Sequence, residues 1–238
     1  MTELLYQTDS YLNSFEAVIT AVDPENKAVS LDCSAFYPGG GGQPCDYGIM
    51  SVGEEKYSIG KVKKQADDVF HYLGDDGLPA VGTKVNATID WDRRYKLMRT
   101  HTALHVLCGV VFRDYGAQVT GGDMEPLAGR MDFEFEKMHG ELVREIEAAV
   151  NREIAAARDI RVKILPREEA FQIPDLIRTK INLLPEGITK VRTVEIVGLD
   201  LQADGGTHVH NTSEVGSIRV VDYKSKGAIN KRIYIAVE

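Results

Sequence analysis

Two residue pairs, far apart in the chain, have the types and spacing to share one metal ion. His101 and His105 enclose Thr102-Ala103-Leu104, and Asp204 and His208 enclose Gly205-Gly206-Thr207. Residues at i and i+4 of a helix lie on one face, their Cβ atoms about 5–6 Å apart. Two imidazoles at that spacing can hold a single ion, and zinc, a borderline-soft cation, suits nitrogen donors. His101, His105 and His208 would supply three nitrogens and leave a position for water or substrate, as catalytic zinc sites do. Asp204 has two roles open to it, direct ligation through a carboxylate oxygen or orientation of a neighbouring histidine or water. His210 lies two residues beyond His208, so on an extended segment it points the other way. His71 and His139 stand alone and read as structural.

The first pair needs a helix and the second a loop. The apolar run from Met98 to Phe112 suits an amphipathic helix, expected over 92–114 and ended by Gly116 at its C′ position. Asp204 and His208 sit among glycines, where a loop can carry ligands to a metal held elsewhere. Before Trp91 short β-rich segments dominate, at 15–22, 28–33, 57–63, 69–73 and 84–90. Asp23-Pro24-Glu25-Asn26 reads as a turn and Gly74-Asp75-Asp76-Gly77 as a loop. This spacing suggests a small barrel or sandwich. After the first helix come a strand at 130–135 and a helix at 136–158 with Leu142, Ile146, Ala149, Val150 and Ile154 on one face. Further strands are expected at 191–197, 216–223 and 232–237. The expected class is therefore α+β: a β-barrel-like domain over 1–90, then an α+β domain over 91–238 whose antiparallel sheet packs against helices. Gly39-Gly40-Gly41-Gly42-Gln43-Pro44 lacks the spacing of a nucleotide-binding loop. Its glycines favour positive φ and expose N–H groups, and Gln43 offers both donors and an acceptor.

Composition excludes several classes. The chain has 238 residues and a net charge of −8, against the basic excess usual in non-specific nucleic-acid binders. Basic residues still cluster locally, with Arg93, Arg94, Lys96 and Arg99 leading into the histidine helix and Lys231 and Arg232 near the end. Either cluster could meet phosphates or merely be a solvated face. No apolar stretch approaches a membrane span, and the first residues lack a secretory pattern. Cys33, Cys45 and Cys108 are odd in number and far apart, which argues against a disulfide framework. Cys108 reads as a small core residue. A cytoplasmic protein is expected.

The neighbours of the metal pairs carry a family resemblance. Arg99-Thr100-His101-Thr102-Ala103-Leu104-His105, Gly129-Arg130-Met131-Asp132-Phe133, Gly205-Gly206-Thr207-His208-Val209, Asn211-Thr212-Ser213-Glu214-Val215-Gly216 and Asn230-Lys231-Arg232-Ile233 resemble the editing domain of alanyl-tRNA synthetase. With the Gly39–Pro44 run upstream, the chain is similar to the free-standing AlaX editing proteins in their medium-length form. That resemblance implies hydrolysis of the ester joining a wrong amino acid, chiefly serine with glycine as a second candidate, to tRNA(Ala). It implies one zinc ion per chain and the acceptor end of tRNA(Ala) as partner, with a monomer and a dimer equally open. It further implies that the Gly39–Pro44 loop helps position the aminoacyl end. Thr102, Thr207, Gln43 and Gly206 are the candidates for substrate contact. The fourth metal position is Cys in the synthetase pattern and Asp204 here; a carboxylate is a harder ligand that relaxes selectivity among metals. An editing site has a physical rationale, because a pocket shaped for alanine rejects a residue that only adds a hydroxyl poorly. Two other readings compete: a metal-dependent hydrolase acting on free esters or amides, and an RNA-binding module with structural zinc.

Overall fold

Alternating polarity in the first third of the chain is resolved into strands: β1 (Glu3–Leu4), β2 (Ser14–Asp23), β3 (Ala28–Leu31), β4 (Cys33–Ser34), β5 (Gly48–Val52), β6 (Glu55–Gln65), β7 (Asp68–Leu73) and β8 (Lys84–Ile89). The computed structural model describes residues 1–74, 77–179 and 187–238. They divide into two compact units, Met1–Tyr95 and Lys96–Glu238. In the first, six antiparallel strands close into a barrel in the order β2-β3-β7-β6-β5-β8. Every second residue of β7 and β8 points inward, as the pleat requires. Val29, Leu31, Phe36, Met50, Ile59, Val69 and Val85 fill the interior, each worth about 1.5–3 kcal/mol when fully buried. Strand β5 carries no sequence expectation; it is short, its five residues pairing with β6 and the first four of them also with β8. The expected Gly74–Gly77 loop falls partly on Asp75 and Asp76, outside the described residues.

Two polar groups are sealed into this unit. His71 is fully buried, its Nε2 2.8 Å from Ser34 Oγ and its Nδ1 3.3 Å from the Val29 carbonyl. Arg94 is also fully buried. It donates to the Asp46 carboxylate and to the carbonyls of Ala35 (2.6 Å) and Ser10 (2.9 Å). The glycine run forms a tight turn in which Gly40 and Gln43 exchange backbone hydrogen bonds of 3.0 and 2.9 Å. Gly41 and Gly42 between them adopt φ of 58° and 88°, so both central positions require the left-handed region that glycine enters freely.

The second unit is built around α1 (Trp91–Tyr115), which begins just before the division between the units. After it come β9 (Val119–Glu125), β10 (Ala128–Glu134), α2 (Gly140–Ala155), β11 (Ile160–Pro166), α3 (Arg167–Ala170), β12 (Lys190–Ile196), β13 (Asp200–Ala203), β14 (Ile218–Ser225) and β15 (Asn230–Val237). They form an antiparallel sheet β14-β15-β10-β9 and a second one, β11-β12-β13. From Thr100 to Val111 every α1 residue is buried, so the helix is enclosed on all sides rather than amphipathic. Leu104 lies against Gly129 of β10, and Gly109 lies against Leu199 and Asp200 at the start of β13. The helix thus has one sheet on either side.

The second helix is shorter than the 136–158 expected. His139 caps its start by accepting the Leu142 N–H, and Val143 rather than Leu142 joins Ile146, Ala149, Val150 and Ile154 on the buried face. Strands β9, β11 and β13 are additions to the sequence reading. Strand β9 contains two adjacent glycines, and β11 is an edge strand exposed from Arg161 to Ile164, so neither shows a clean period of two.

Candidate metal centre

The long helix and the loop after β13 bring the two pairs together within the second unit. His101 and His105 project from adjacent turns of α1, ring centroids 5.0 Å apart. His208 stacks on His101 at 4.2 Å and lies 4.6 Å from His105. Asp204 faces all three, with Oδ1 3.6 Å from His101 Nε2 and 4.0 Å from His105 Nε2, and Oδ2 3.0 Å from His208 Nε2. One ligand atom from each of the four lies within 4.8 Å of all the others. Zinc bonds of about 2.0–2.2 Å in a tetrahedron would set such atoms about 3.3 Å apart, so a small closure meets the requirement.

Local chemistry prepares the donors. Burial holds His101 well below the ordinary imidazole range and pushes His208 down to about 4, so both rings are neutral and keep a lone pair for a metal. Burial opposes the charge on Asp204, yet its carboxyl stays well below the carboxylate range, with His208 Nε2 within hydrogen-bond distance of Oδ2 at 3.0 Å. Thr102 Oγ1 lies 3.1 Å from His208 Nδ1 and accepts the Val209 N–H at 3.3 Å. This leaves Nε2 as the His208 atom that faces the cluster. Gly206 N–H donates to Asp204 Oδ2 at 2.8 Å. Arg192 Nη1 donates to the Asp204 carbonyl at 3.0 Å, and Asp204 N–H returns a bond to the Arg192 carbonyl at 3.1 Å. Three imidazoles and one carboxylate, converging in a buried space, are a donor set that fits zinc.

Other sequence candidates sit elsewhere. Thr207 is fully buried beside the cluster; Gln43 is buried in the first unit, in the Gly39–Pro44 turn. Arg93 lies over the Tyr47 ring at 4.0 Å, and Arg94 is the enclosed ion pair described above. Lys96 is half-buried. Arg99 donates to the carbonyls of Val215 and Glu238, both at 2.8 Å. Lys231 Nζ donates to the carbonyls of Gly227 and Ala228, and Arg232 grips Asp132 at 2.6 and 2.7 Å. Arg94, Arg99, Lys231 and Arg232 therefore direct their donors into the fold. His210 is exposed and turned from the cluster, its N–H bonded to Glu214. Arg192 and Asp200 near the cluster were not sequence candidates. Asp200, Gln202 and Asp204 alternate along one stretch, and that period of two was the available signal.

The family model for the threonyl and alanyl tRNA synthetase second additional domain matches residues 191–234, which carry Asp204 and His208. The model for class II (A) tRNA synthetases matches residues 6–93. The alanyl-tRNA editing protein AlaX-M of Saccharolobus solfataricus is 40% identical over the full length of both chains, and that of Methanosarcina mazei is 37% identical over all of this chain and 97% of its own. The chain belongs to the AlaX-M family. Its likeness extends to alanine–tRNA ligase of Ignicoccus hospitalis, 38% identical over 92% of this chain but only 24% of the ligase. The chain thus matches a section of that larger enzyme.

Proposed function

We propose that this AlaX-M family member edits alanyl-tRNA in trans, deacylating mischarged tRNA(Ala), with seryl-tRNA(Ala) the chief substrate and glycyl-tRNA(Ala) a second. The observation that carries the reading is the convergence of His101, His105, His208 and Asp204 in a chain whose full-length relatives bear the editing name. His101, His105 and His208 would hold zinc through neutral imidazoles, with Asp204 Oδ1 as a fourth, displaceable donor. When bound, zinc supplies positive charge that polarises an ester carbonyl or acidifies a water. Thr102 keeps the His208 ring turned, and Arg192 and the Gly206 N–H fix Asp204. Thr207 is assigned to contact with the substrate's serine hydroxyl, a group alanine lacks. A site built to hydrogen-bond that hydroxyl would leave a polar atom unpaired with alanine and so spare the correct ester. Contact of the Gly39–Pro44 turn and Gln43 with the aminoacyl end belongs to the same proposal, as do phosphate contacts by Arg93 and Lys96. No helix among the described residues is long and apolar enough to cross a membrane, which suits a cytoplasmic role.

Deacylation of seryl-tRNA(Ala) by the wild type, His101→Ala and His208→Ala tests this. The proposal expects rapid loss of serine with the wild type and a rate at least ~100-fold lower for each folded variant. Equal rates would remove the histidine cluster from the reaction.

A further inference from the structure

We infer that Asp200 is the positioning residue for His105, fixing the ring so that Nε2 is its metal-binding atom; this rests on the metal-site reading above. Hydrogen bonds restrain the orientation of His208 and Asp204, whereas His105 Nδ1 has no such restraint. Its Nδ1 is buried without a hydrogen-bond partner among the described residues. Asp200 Oδ2, 3.8 Å away, is the carboxylate oxygen it faces. That carboxylate is itself fully buried and held from two sides. Arg178 Nε donates to Oδ1 at 3.1 Å and Gln202 Nε2 to Oδ2 at 2.5 Å.

The helix is shaped to admit it. Gly109, one turn beyond His105, is a poor helix former in the middle of a long helix. A Cβ there would stand 3.0 Å from Asp200 Cβ and 3.0 Å from Leu199 Cγ, tighter than side chains normally pack. One further turn along, Arg178 lies over the Phe112 ring at 4.0 Å. His105, Gly109 and Phe112 thus form a face of α1 that receives Asp200 and its arginine. A histidine that ligates a metal through Nε2 must carry its proton on Nδ1, and a carboxylate accepting that proton's hydrogen bond fixes both tautomer and ring orientation. Asp200 is placed for that bond.

Zinc affinity of the full-length chain, measured by competition with a chromophoric chelator, tests the inference without reference to activity. Asp200→Asn is expected to bind zinc 10–100-fold more weakly. Gly109→Ala, which improves the helix but crowds Asp200, is expected to weaken zinc binding as well. Arg178→Gln removes the ion pair yet leaves the carboxylate beside His105, and its loss should be smaller than that of Asp200→Asn. Wild-type affinity in both Asp200→Asn and Gly109→Ala overturns the inference while leaving the metal site standing. Equal losses in Asp200→Asn and Arg178→Gln overturn it too, reducing Asp200 to an ion-pair partner. Absence of zinc binding by the wild type would instead overturn the metal reading, and this inference with it.

Discussion

Neutral imidazoles are what a buried metal site needs, and here burial itself supplies them. His101 and His208 would carry charge only at a large desolvation cost, so they reach neutral pH as lone-pair donors. Orientation is a separate requirement, met at His208 by one hydroxyl. Thr102→Val keeps the shape of that side chain but removes the oxygen shared by His208 Nδ1 and the Val209 N–H. It should cost about 1–3 kcal/mol of stability, the penalty for a buried donor left unpaired, and weaken zinc binding. Thermal melts with a zinc titration check both effects; an unchanged affinity would mean that Thr102 does not orient the ring. The metal pairs themselves were legible from the sequence because each is encoded locally, at a four-residue spacing. Asp200 and Arg192 were not, because what brings them to the cluster is strand pairing among β11, β12 and β13.

At the scale of elements, the difference between expectation and structure follows burial. The histidine helix was correctly placed over 92–114, within one residue of Trp91–Tyr115 at either end. Its amphipathic character was not, since every residue from Thr100 to Val111 is buried. The barrel was legible because β7 and β8 alternate strictly, whereas β9 and β11 lack that signal. The glycine turn is an element whose sequence is dictated by backbone geometry. Gly41 has open space where a Cβ would stand, yet its φ is +58°. Gly41→Ala should therefore cost roughly 1–2 kcal/mol through conformational strain alone. A drop in barrel stability by denaturant titration, without loss of zinc binding, is the expected result; no drop would show that the turn relaxes freely.

For the molecule as a whole, two stability predictions separate the units from the metal. His71 lies in the barrel interior, where burial pushes it from 6.5 down to about 4. Below pH 6.5 the unfolded chain takes up a proton that folded His71 refuses, so stability falls as pH drops toward 4 and is level above 7. The loss attributable to this one group approaches about 3 kcal/mol at pH 4. His71→Gln should flatten that part of the pH profile, and an unchanged slope would assign the acid sensitivity to other groups. Each unit also has an apolar interior of its own, so chelation should leave far-UV circular dichroism intact while abolishing activity. Unfolding on chelation would favour an RNA-binding module with structural zinc. The most direct test of the whole account is deacylation of seryl-, glycyl- and alanyl-tRNA(Ala), each with zinc-loaded and zinc-stripped protein. Rapid loss of serine, with alanine spared and activity lost on stripping, is the predicted outcome. A folded, zinc-loaded protein that cleaves none of the three esters would contradict it.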